Sequence, residues 1–509
     1  MSSKGPGASR ARGNERERAS EARGAGAMSD AAEGFRLGLS YDDVLIVPRR
    51  SRVRSRSEVV TRTRFTRRIE LAVPIVSANM DTITESAMAI ALARLGGIGV
   101  IHRFMPVARE AAEVARVKRF LNYVVEQPYT IGPDRTVAQA RLEAGAHGVT
   151  GLLVTAEDGQ LLGILTGRDV RAEPEERLVR DAMTARDRLV TAPTDVTPEA
   201  ALELLNRHRI EKLPLLGADG RLAGLITLRD VELRKQLPDA TRDERGRLRV
   251  AAAVGVRDTL ARAEALVQAD VDALVVDVAH GHSEHTLTAV RELKAAWPEL
   301  DVVAGNVATS EGVSDLVEAG ADAVKAGIGA GYVCTTRLVA GAGVPQLSCV
   351  LDCAAAAREL GTPLIADGGI RQPADVAKAI AAGADTVMIG GLFAGTGETP
   401  GEIVRRGERR YKIYRGMASR AAAAALLELE DREEALDQYV PEGVERAAPL
   451  RESVAEVVTE LVGGLRSGIS YAGAHTIPEF RAQVEFIRIT AAGKRESDPG
   501  GEPEPGPGG

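Results

Sequence analysis

The chain has 509 residues, which exceeds the usual size of one compact domain and predicts at least two domains with tails. Hydrophobic residues make up 44% of it and aromatic residues only 3%, so Ala, Val, Leu and Ile must fill most of the core. The formal net charge of -7 argues against a nucleic-acid-binding surface over the whole molecule. No apolar run approaches the roughly 18 residues of a membrane span, so we expect no membrane partner.

Both ends of the chain differ in composition from its middle. Residues 1–35 are rich in Arg, Gly, Ala, Ser and Glu, and residues 494–509 end in GEPEPGPGG. Neither segment can bury enough apolar surface to offset the entropy lost on ordering, so both are predicted to be disordered tails. The Arg-rich start could alternatively be a transit peptide, but such peptides are poor in acidic residues. This segment contains Glu15, Glu17 and Glu21.

The first folded segment is predicted over 36–120. Two short apolar runs, AVPIVS at 72–77 and GIGVI at 97–101, have the nearly continuous hydrophobicity of parallel strands covered on both faces. They are the first two strands of a larger sheet or barrel whose remaining strands lie much further along the chain.

An internal repeat follows within 121–237. Residues 159–170 read GQLLGILTGRDV and residues 220–231 read GRLAGLITLRDV, a spacing of 61 residues (220 minus 159). Each copy predicts a strand, then Thr-x-Arg-Asp at the start of a helix that Asp169 or Asp230 would cap. The segment resembles a tandem pair of CBS modules, and the resemblance implies a regulatory site for adenine or guanine nucleotides. Its four candidate residues, which on the alternative interpretation only cap and turn the chain, are Thr166, Asp169, Thr227 and Asp230.

Six more strands are predicted over 238–493, at 248–254, 273–277, 301–305, 322–327, 363–367 and 386–390. Ala-rich helical stretches such as 312–319 and 374–382 separate them. Eight strands alternating with helices predict an α/β fold of the (β/α)8 TIM-barrel type, interrupted by the repeat module. A Rossmann sheet is the main alternative, but no GxGxxG follows the first strand. A barrel places chemistry in the loops at the carboxyl ends of its strands.

The loop after the sixth strand is the strongest candidate for chemistry. It reads GIGAGYVCTTR over 327–337 and places Cys334 and Thr336 at the barrel mouth. A lone cysteine is more often a small core residue, but the glycine-rich context and the strand-end position favour a nucleophile. Cys349 and Cys353 fall in a predicted helix and are expected to be core residues. Three sparse cysteines predict no disulfide framework and are typical of the reducing cytoplasm.

Strands seven and eight end in small residues. Asp367-Gly368-Gly369 follows one strand and Gly390-Gly391 follows the other. TIM barrels often bind phosphate at these two loops through backbone N–H groups and a helix N-terminus. The sequence therefore predicts a phosphorylated substrate beside a thiol.

Strand four ends in Asp277 and is followed by three histidines: His280, His282 and His285. They suggest a metal site, but no set of Cys or carboxylate ligands completes a recognisable pattern. By analogy with dinucleotide sites on another fold, Asp277 would instead accept hydrogen bonds from a ribose.

With these residues in place, the sequence resembles the IMP dehydrogenase/GMP reductase family over about 36–492. The resemblance rests on ten motifs in order: LSYDDVLIVP, NMDTITE, AGNVAT, VKAGIGAGYVCTTR, GVPQL, ADGGIR, AGTGETPGE, YRGMAS, VPEGVE and GGLRSG. It implies a purine nucleotide oxidoreductase in which the Cys334 thiolate attacks C2 and forms a covalent thioimidate. A dehydrogenase would convert IMP, NAD and water to XMP and NADH. A reductase would convert GMP and NADPH to IMP and ammonia.

The resemblance also implies roles for individual residues. Thr336 and Glu398 match a proton-relay pair, and Asp277, Gly327 and Gly329 match contacts to the nicotinamide cofactor. Phosphate contacts are implied for Asp367, Gly369, Gly390, Gly391 and Tyr414. Base contacts are implied for Gly416, Met417 and Glu442. Backbone carbonyls of Gly329, Gly331 and Cys334 match a potassium site. A mobile flap is expected at about 420–450, and the family implies homotetramers or octamers.

The direction of the reaction stays open, with the dehydrogenase narrowly favoured. The paired module and VPEGVE resemble the dehydrogenase branch, whereas other residues resemble the reductase: Asn79-Met80-Asp81, Asp277-Val278-Ala279, Ser283-Glu284-His285 and Gly390-Gly391. Dehydrogenases carry an Arg-Tyr pair between YRGMAS and VPEGVE to activate water, but here Arg432 is followed by Glu433. Tyr332 is a second departure, since both branches usually have a small residue there. A catalytically silent nucleotide-sensing paralogue is a third hypothesis, against which intact Cys334, Thr336 and Glu398 argue.

Overall fold

The computed structural model describes residues 35–120, 124–125, 128–429 and 436–497. All helices and strands below belong to the unit that comprises residues 40–509. Among the described residues, no helix has the length and hydrophobicity that a membrane span needs.

A closed barrel of eight parallel strands forms the centre of this unit. Each strand pairs with the next, and the eighth pairs with the first. In chain order the strands are β1 (Ile75–Ser77), β2 (Ile98–Ile101), β3 (Ala251–Val254), β4 (Ala273–Asp277), β5 (Asp301–Val307), β6 (Ala323–Ala326), β7 (Leu364–Asp367) and β8 (Thr386–Ile389). The predicted TIM barrel is confirmed, and each observed strand overlaps its predicted run.

Eight helices follow these strands along the chain, most of them directly after their strand. They are α1 (Ser86–Arg94), α2 (Val107–Arg119), α3 (Thr259–Gln268), α4 (Glu284–Ala296), α5 (Ser310–Glu318), α6 (Gln346–Glu359), α7 (Pro373–Ala381) and α8 (Val454–Tyr471). Helices α7 and α8 pack against each other, and Gly464 of α8 approaches Pro373 so closely that a Cβ would lie 2.3 Å from the proline Cβ.

The barrel interior is filled by small and branched side chains. Inward-facing Ala, Val and Ile residues form one buried cluster with Phe65, Ile69 and Leu71. These three residues belong to a two-stranded hairpin, Thr63–Arg64 with Glu70–Leu71. The hairpin is tied by Thr66 and Arg68 to Asp301, the first residue of β5. It therefore covers the amino end of the barrel and leaves the carboxyl end for a site.

The repeat module leaves the barrel after α2 and forms two small sheets. One contains Thr130–Ile131, Gly151–Thr155, Leu161–Thr166 and Thr184–Ala185, and the other contains Ala192–Pro193, Lys212–Leu216 and Leu222–Thr227. Its helices are Val137–His147, Gly167–Ala172, Val179–Ala182, Pro198–His208 and Leu228–Gln236. Each half has its own apolar core, and a third cluster with Leu153, Ile164 and Leu225 joins them.

The remaining elements are short. A three-stranded antiparallel sheet contains Ile403–Arg406, Arg409–Arg415 and Glu445–Pro449. The helix Arg420–Leu429 lies in the connection between the second and third of these strands. Val44–Ile46 pairs with Phe486–Arg488. Further helices and turns are Tyr41–Asp43, Arg56–Glu58, Arg186–Arg188, Thr336–Val339, Leu436–Gln438, Ile477–Gln483 and Ala491–Glu496.

The structure corrects one boundary and leaves others outside its range. Residues 494–496, predicted to begin a disordered tail, complete the helix Ala491–Glu496. Lys494 forms an ion pair with Asp42 at 2.8 Å, which favours order because it ties this helix to residue 42 of the same unit. The predicted disorder of 1–34 and of 498–509 lies outside the described residues, as does the flap segment 430–435.

Candidate active site

The loop after β6 reverses direction through glycines. Gly327 and Gly329 have φ values of +146° and +76°, a region that side chains with a Cβ rarely adopt. At Gly327 a Cβ would also lie 2.1 Å from the carbonyl oxygen of Asp367. The loop therefore packs directly on the end of β7 and delivers Cys334, half-buried, to the carboxyl end of the barrel.

Cys334 begins a chain of three reactive groups. Its Sγ lies 3.2 Å from Oγ1 of Thr336, and that hydroxyl donates to Oε2 of Glu442 at 2.7 Å. Thiol, hydroxyl and carboxylate thus form a continuous hydrogen-bonded path for a proton.

The backbone holds Glu442 in this position. Its carbonyl accepts from the N–H of Thr335 at 2.8 Å, and its own N–H donates to the carbonyl of Ala418 at 3.0 Å. The next residue, Gly443, pairs with Cys334 in an antiparallel bridge. The VPEGVE segment is therefore bound to the Cys334 loop through the carbonyl of Glu442 and the N–H of Val444, which donates to the carbonyl of Val333 at 2.9 Å.

The predicted Thr336–Glu398 pair is not formed. Glu398 instead accepts hydrogen bonds from Ser453 Oγ and from the N–H of Val454, both at 2.9 Å. These groups begin α8, where a carboxylate complements the positive end of the helix dipole. The carboxylate that pairs with Thr336 is Glu442, which the sequence had indicated only as a base contact.

A buried lysine that no sequence motif had indicated lies deeper in the barrel mouth. Lys325 of β6 has only 2% of its side chain exposed. Its Nζ donates to Asp277 at 2.6 Å and to Asp367 at 2.9 Å, and it also contacts Asn306. Asn306 donates in turn to Asp367 and to the carbonyl of Gly327. One cation therefore links the carboxylates that end β4 and β7.

The charges in this network stabilise one another. Burial alone would raise the pKa of Asp277, but Lys325 and then Asn79 outweigh it, so its pKa lies below the ordinary value. Burial alone would lower the pKa of Lys325, but the charges of Asp277 and Asp367 outweigh it and raise that pKa. Asp277 is therefore ionised at neutral pH and available to accept hydrogen bonds from a ligand.

The predicted phosphate-binding residues also meet at this end of the barrel. Gly369 has a φ of +81°, and a Cβ at Gly391 would lie 3.6 Å from the hydroxyl oxygen of Tyr414. Tyr414 is buried, which raises its pKa to about 12 and keeps its hydroxyl a neutral donor. Gly390 immediately follows β8, next to Met80. The structure thus brings together two glycine loops and one phenol beside the Cys334 loop.

Gly416 and Met417 lie close to the same segment. Gly416 donates its N–H to the carbonyl of Val444, and Met417 Sδ lies 3.4 Å from the N–H of Asp81. Tyr439, the tyrosine without an adjacent arginine, donates its hydroxyl to the carbonyl of Ala418. Arg432 and Glu433 lie outside the described residues.

Other candidates occupy ordinary structural positions. His282 forms a 2.7 Å contact with Asp315, and within the described ranges no group of three or more His, Cys, Asp or Glu side chains could hold a metal ion. Cys349 and Cys353 are buried in α6, as expected of core residues.

In the module, Thr166 is the N-cap of its helix, and Asp169 accepts from both the N–H and the hydroxyl of Thr166. This capping box is the structural alternative to nucleotide binding. Thr227 ends the equivalent strand of the second copy, and the side chain of Asp230 is outside what the structure describes.

Comparison with known proteins resolves the family. A model of the IMP dehydrogenase / GMP reductase domain matches residues 38–500. The chain belongs to this family. Inosine-5'-monophosphate dehydrogenase of Aquifex aeolicus is 49% identical to it over 476 residues, covering 92% of this chain and 96% of the relative. The Bacillus subtilis enzyme of that name is 46% identical, with 91% and 95% covered.

Solved structures in the family superimpose over nearly the whole chain. GMP reductase from Trypanosoma brucei in complex with guanosine 5'-monophosphate has a TM-score of 0.86 and 44% identity, covering 94% of this chain and 100% of that one. The same reductase in complex with guanosine 5'-triphosphate has a TM-score of 0.76 and 40% identity, with 91% and 100% covered. A GMP reductase therefore shares the architecture found here, and the curated dehydrogenases match the chain in sequence over nearly their whole length.

Proposed function

We propose that this chain is an NAD-dependent oxidoreductase that acts at C2 of a purine nucleoside 5'-monophosphate through Cys334. In the proposed direction it converts IMP, NAD and water to XMP and NADH. The observation that carries the proposal is the Cys334–Thr336–Glu442 chain, which begins on the loop that adjoins the two glycine loops and Tyr414. A thiol, a proton path and a phosphate site within one barrel mouth suit covalent chemistry on a phosphorylated substrate.

The proposed reaction has two steps. The electron pair of the Cys334 thiolate forms a bond to C2, and the hydrogen on C2 leaves as hydride to the oxidised nicotinamide of bound NAD. Water then attacks the same carbon, its proton passes through Thr336 to Glu442, and the C–S bond breaks to restore the thiolate. Thr336 can serve this step because its hydroxyl touches both the sulfur and the carboxylate.

The residues at the end of β4 fit a cofactor that carries ribose hydroxyls. Asp277 is held ionised by Lys325 and Asn79, and an ionised carboxylate is an acceptor for two hydroxyl donors. Gly327 and Gly329 keep the adjoining loop free of side chains. These three residues would therefore hold the nicotinamide half of NAD.

A potassium site is part of the proposal. The carbonyl oxygens of Gly329, Gly331 and Cys334 would supply it, since hard cations prefer oxygen ligands. The carbonyl of Gly331 accepts from the N–H of Cys334 at 3.1 Å, so these two residues lie in one tight turn. Replacing potassium by lithium in the assay buffer should lower turnover if these carbonyls hold the ion.

GMP reductase is the second candidate, and a specific observation favours it. The stretch between YRGMAS and VPEGVE lacks the Arg-Tyr pair by which dehydrogenases activate water, since Arg432 is followed by Glu433. In a reductase no water attacks the intermediate, and Glu442 would instead deliver the proton, through Thr336, to departing ammonia. The structural similarity to the Trypanosoma brucei reductase supports this candidate, and the identity to the curated dehydrogenases supports the first.

Two incubations distinguish the directions. The chain is mixed with IMP and NAD, and separately with GMP and NADPH, and the absorbance of the reduced nicotinamide is followed. Formation of NADH from IMP supports the dehydrogenase. Rapid oxidation of NADPH with GMP, and no NADH from IMP even at high pH, would establish the reductase instead. No reaction in either mixture would favour the nucleotide-sensing paralogue.

Two further parts of the proposal concern the repeat module and the oligomeric state. We propose that 121–237 forms the CBS pair and binds regulatory adenine or guanine nucleotides, and that the barrel forms homotetramers or octamers in the cytoplasm. Titration with ATP and GTP during turnover tests the first point, and light scattering with and without nucleotide tests the second.

A further inference from the structure

The rim of the proposed phosphate site carries an aromatic ring with two arginines beside it. Tyr332, two residues before Cys334, is 58% exposed. The guanidinium carbon of Arg446 lies 5.6 Å from the centroid of its ring, and that of Arg371 lies 6.0 Å away. Both distances are within the range of cation–π attraction.

This group of three side chains adjoins the phosphate loops. A Cβ at Gly391 would lie 3.6 Å from Cβ of Tyr332 and equally close to the hydroxyl oxygen of Tyr414. Arg446 is paired with Tyr414 across two antiparallel strands, and Arg371 follows Gly369 by two residues. The ring and both cations therefore stand at the outer edge of the loops on which a phosphate is expected.

Neither arginine is neutralised by a carboxylate. In the described part of the chain no ion pair involves Arg371 or Arg446, whereas Arg415 on the same strand as Tyr414 binds Asp81. Two carboxylates lie near Arg371 and are engaged elsewhere: Asp42 forms an ion pair with Lys494 at 2.8 Å, and Asp375 accepts the backbone N–H groups of Arg371 and Gln372. Two free guanidinium groups beside a phosphate site are available for an anionic ligand.

We propose that Arg371 and Arg446, supported by the ring of Tyr332, bind the 5'-phosphate of the substrate from the solvent side. The inference rests on the proposed function, because it extends the phosphate site of that function outward. Backbone N–H groups and Tyr414 meet the phosphate from inside the barrel, and the two guanidinium forks meet its outer oxygens. A nucleotide phosphate carries about -1.5 to -2 charges near pH 7, which two arginines neutralise. At the position where both branches of the family usually have a small residue, Tyr332 thus supplies an aromatic ring that holds two arginines beside the phosphate.

The test measures phosphate binding without requiring turnover. Ribose 5-phosphate is titrated into the full chain and followed by 31P NMR, for the wild type and for Arg371→Gln, Arg446→Gln and the double variant. We expect each substitution to weaken binding roughly tenfold, the loss that corresponds to one charge-assisted hydrogen bond. Arg409→Gln is the matched control, because Arg409 is an exposed arginine on the strand of Tyr414 but lies at its far end. Its affinity should equal that of the wild type.

Steady-state kinetics separates this inference from the function on which it rests. With whichever of IMP or GMP is turned over, the double variant should raise KM for the nucleotide and retain kcat, while KM for the nicotinamide cofactor stays unchanged. No saturable binding of ribose 5-phosphate to the wild type, or equal binding to the double variant, overturns the arginine site. Failure of the wild type to react with either nucleotide overturns the proposed function instead, and the NMR result still decides the site.

Discussion

At the mouth of the barrel, Asp277 and Asp367 turn their carboxylates to one buried lysine, whereas in the repeat module Asp169 turns its carboxylate back to the start of its own helix. The barrel desolvates one lysine together with two carboxylates, and Asp277 remains an acceptor for a ligand. In the module, the carboxylate of Asp169 is satisfied by its own helix start. Polar residues that the fold brings together from several strands at the carboxyl end of the barrel are therefore better candidates for a ligand site than residues that cap their own helix.

The largest expected effect follows from removing the thiol of the barrel site. Cys334→Ala should lower turnover by roughly 10⁴-fold or more, because the proposed covalent intermediate forms on the sulfur of Cys334. Nucleotide binding, measured by calorimetry, should survive. Cys349→Ala, which removes a buried thiol of α6, is the control and should retain activity. A Cys334 variant that keeps a substantial fraction of wild-type turnover would remove Cys334 as nucleophile.

The next effect distinguishes the two glutamates. Glu442→Gln should slow turnover by about 10²–10⁴, the range for loss of a general acid or base, because Thr336 then lacks its proton acceptor. Glu398→Gln should instead weaken the hydrogen bonds at the start of α8 and lower the free energy of unfolding by about 1 kcal/mol. It should leave turnover nearly unchanged. The opposite ranking in stopped-flow assays would restore Glu398 to the relay.

The buried lysines of two regions allow a matched comparison. Lys325→Met removes the cation between Asp277 and Asp367, whose side chains are each 23% exposed, and should lower the free energy of unfolding by about 3 kcal/mol in urea titrations. Lys118→Met should cost at least as much, because Lys118 bridges two more deeply buried carboxylates, Asp243 and Asp272. Only the Lys325 variant should raise KM for nucleotide and cofactor. Equal kinetic effects in both variants would reduce Lys325 to a structural role.

Lowering the pH should reduce the difference in the free energy of unfolding between the wild type and Lys325→Met. The pKa of Asp277 is lower in the folded chain than in the unfolded chain, so its contribution is present above about pH 4 and is lost as the pH falls through the folded pKa. In the variant, Asp277 loses the lysine that holds its pKa down, so the variant loses less stability on the same acidification. A difference in the free energy of unfolding that stays constant as the pH falls from 7 to well below 4 would contradict the ion pair of Lys325 with Asp277.

The smallest effect on chemistry is expected from deleting the module. Removal of 121–237 should leave turnover near the wild-type value while abolishing its response to ATP and GTP, because the barrel supplies every residue of the Cys334–Thr336–Glu442 chain. A shortened chain that folds by circular dichroism and yet lacks activity would make the module part of the active unit.

The sequence predicted the barrel well because parallel strands covered on both faces are continuous apolar runs, as at β4 and β8. It also placed Cys334, Tyr414 and the glycine loops at one end. It did not pair Thr336 with the correct carboxylate. Glu398 and Glu442 both lie in matching motifs, and the order of motifs along the chain does not give the distance between two side chains. Lys325 was detectable in principle, since it is the one charged residue in Ala323–Ala326.

The proposed function depends most directly on a bond between Cys334 and the purine, and mass spectrometry of the quenched reaction would detect that bond. The chain is incubated with whichever of the two mixtures reacts, IMP with NAD or GMP with NADPH, then quenched in acid and digested. We predict a purine nucleotide adduct on the peptide that contains Cys334, accumulating further in Glu442→Gln if hydrolysis depends on that carboxylate. An adduct on Cys349 or Cys353, or turnover with no adduct on any cysteine at any quench time, would contradict the account.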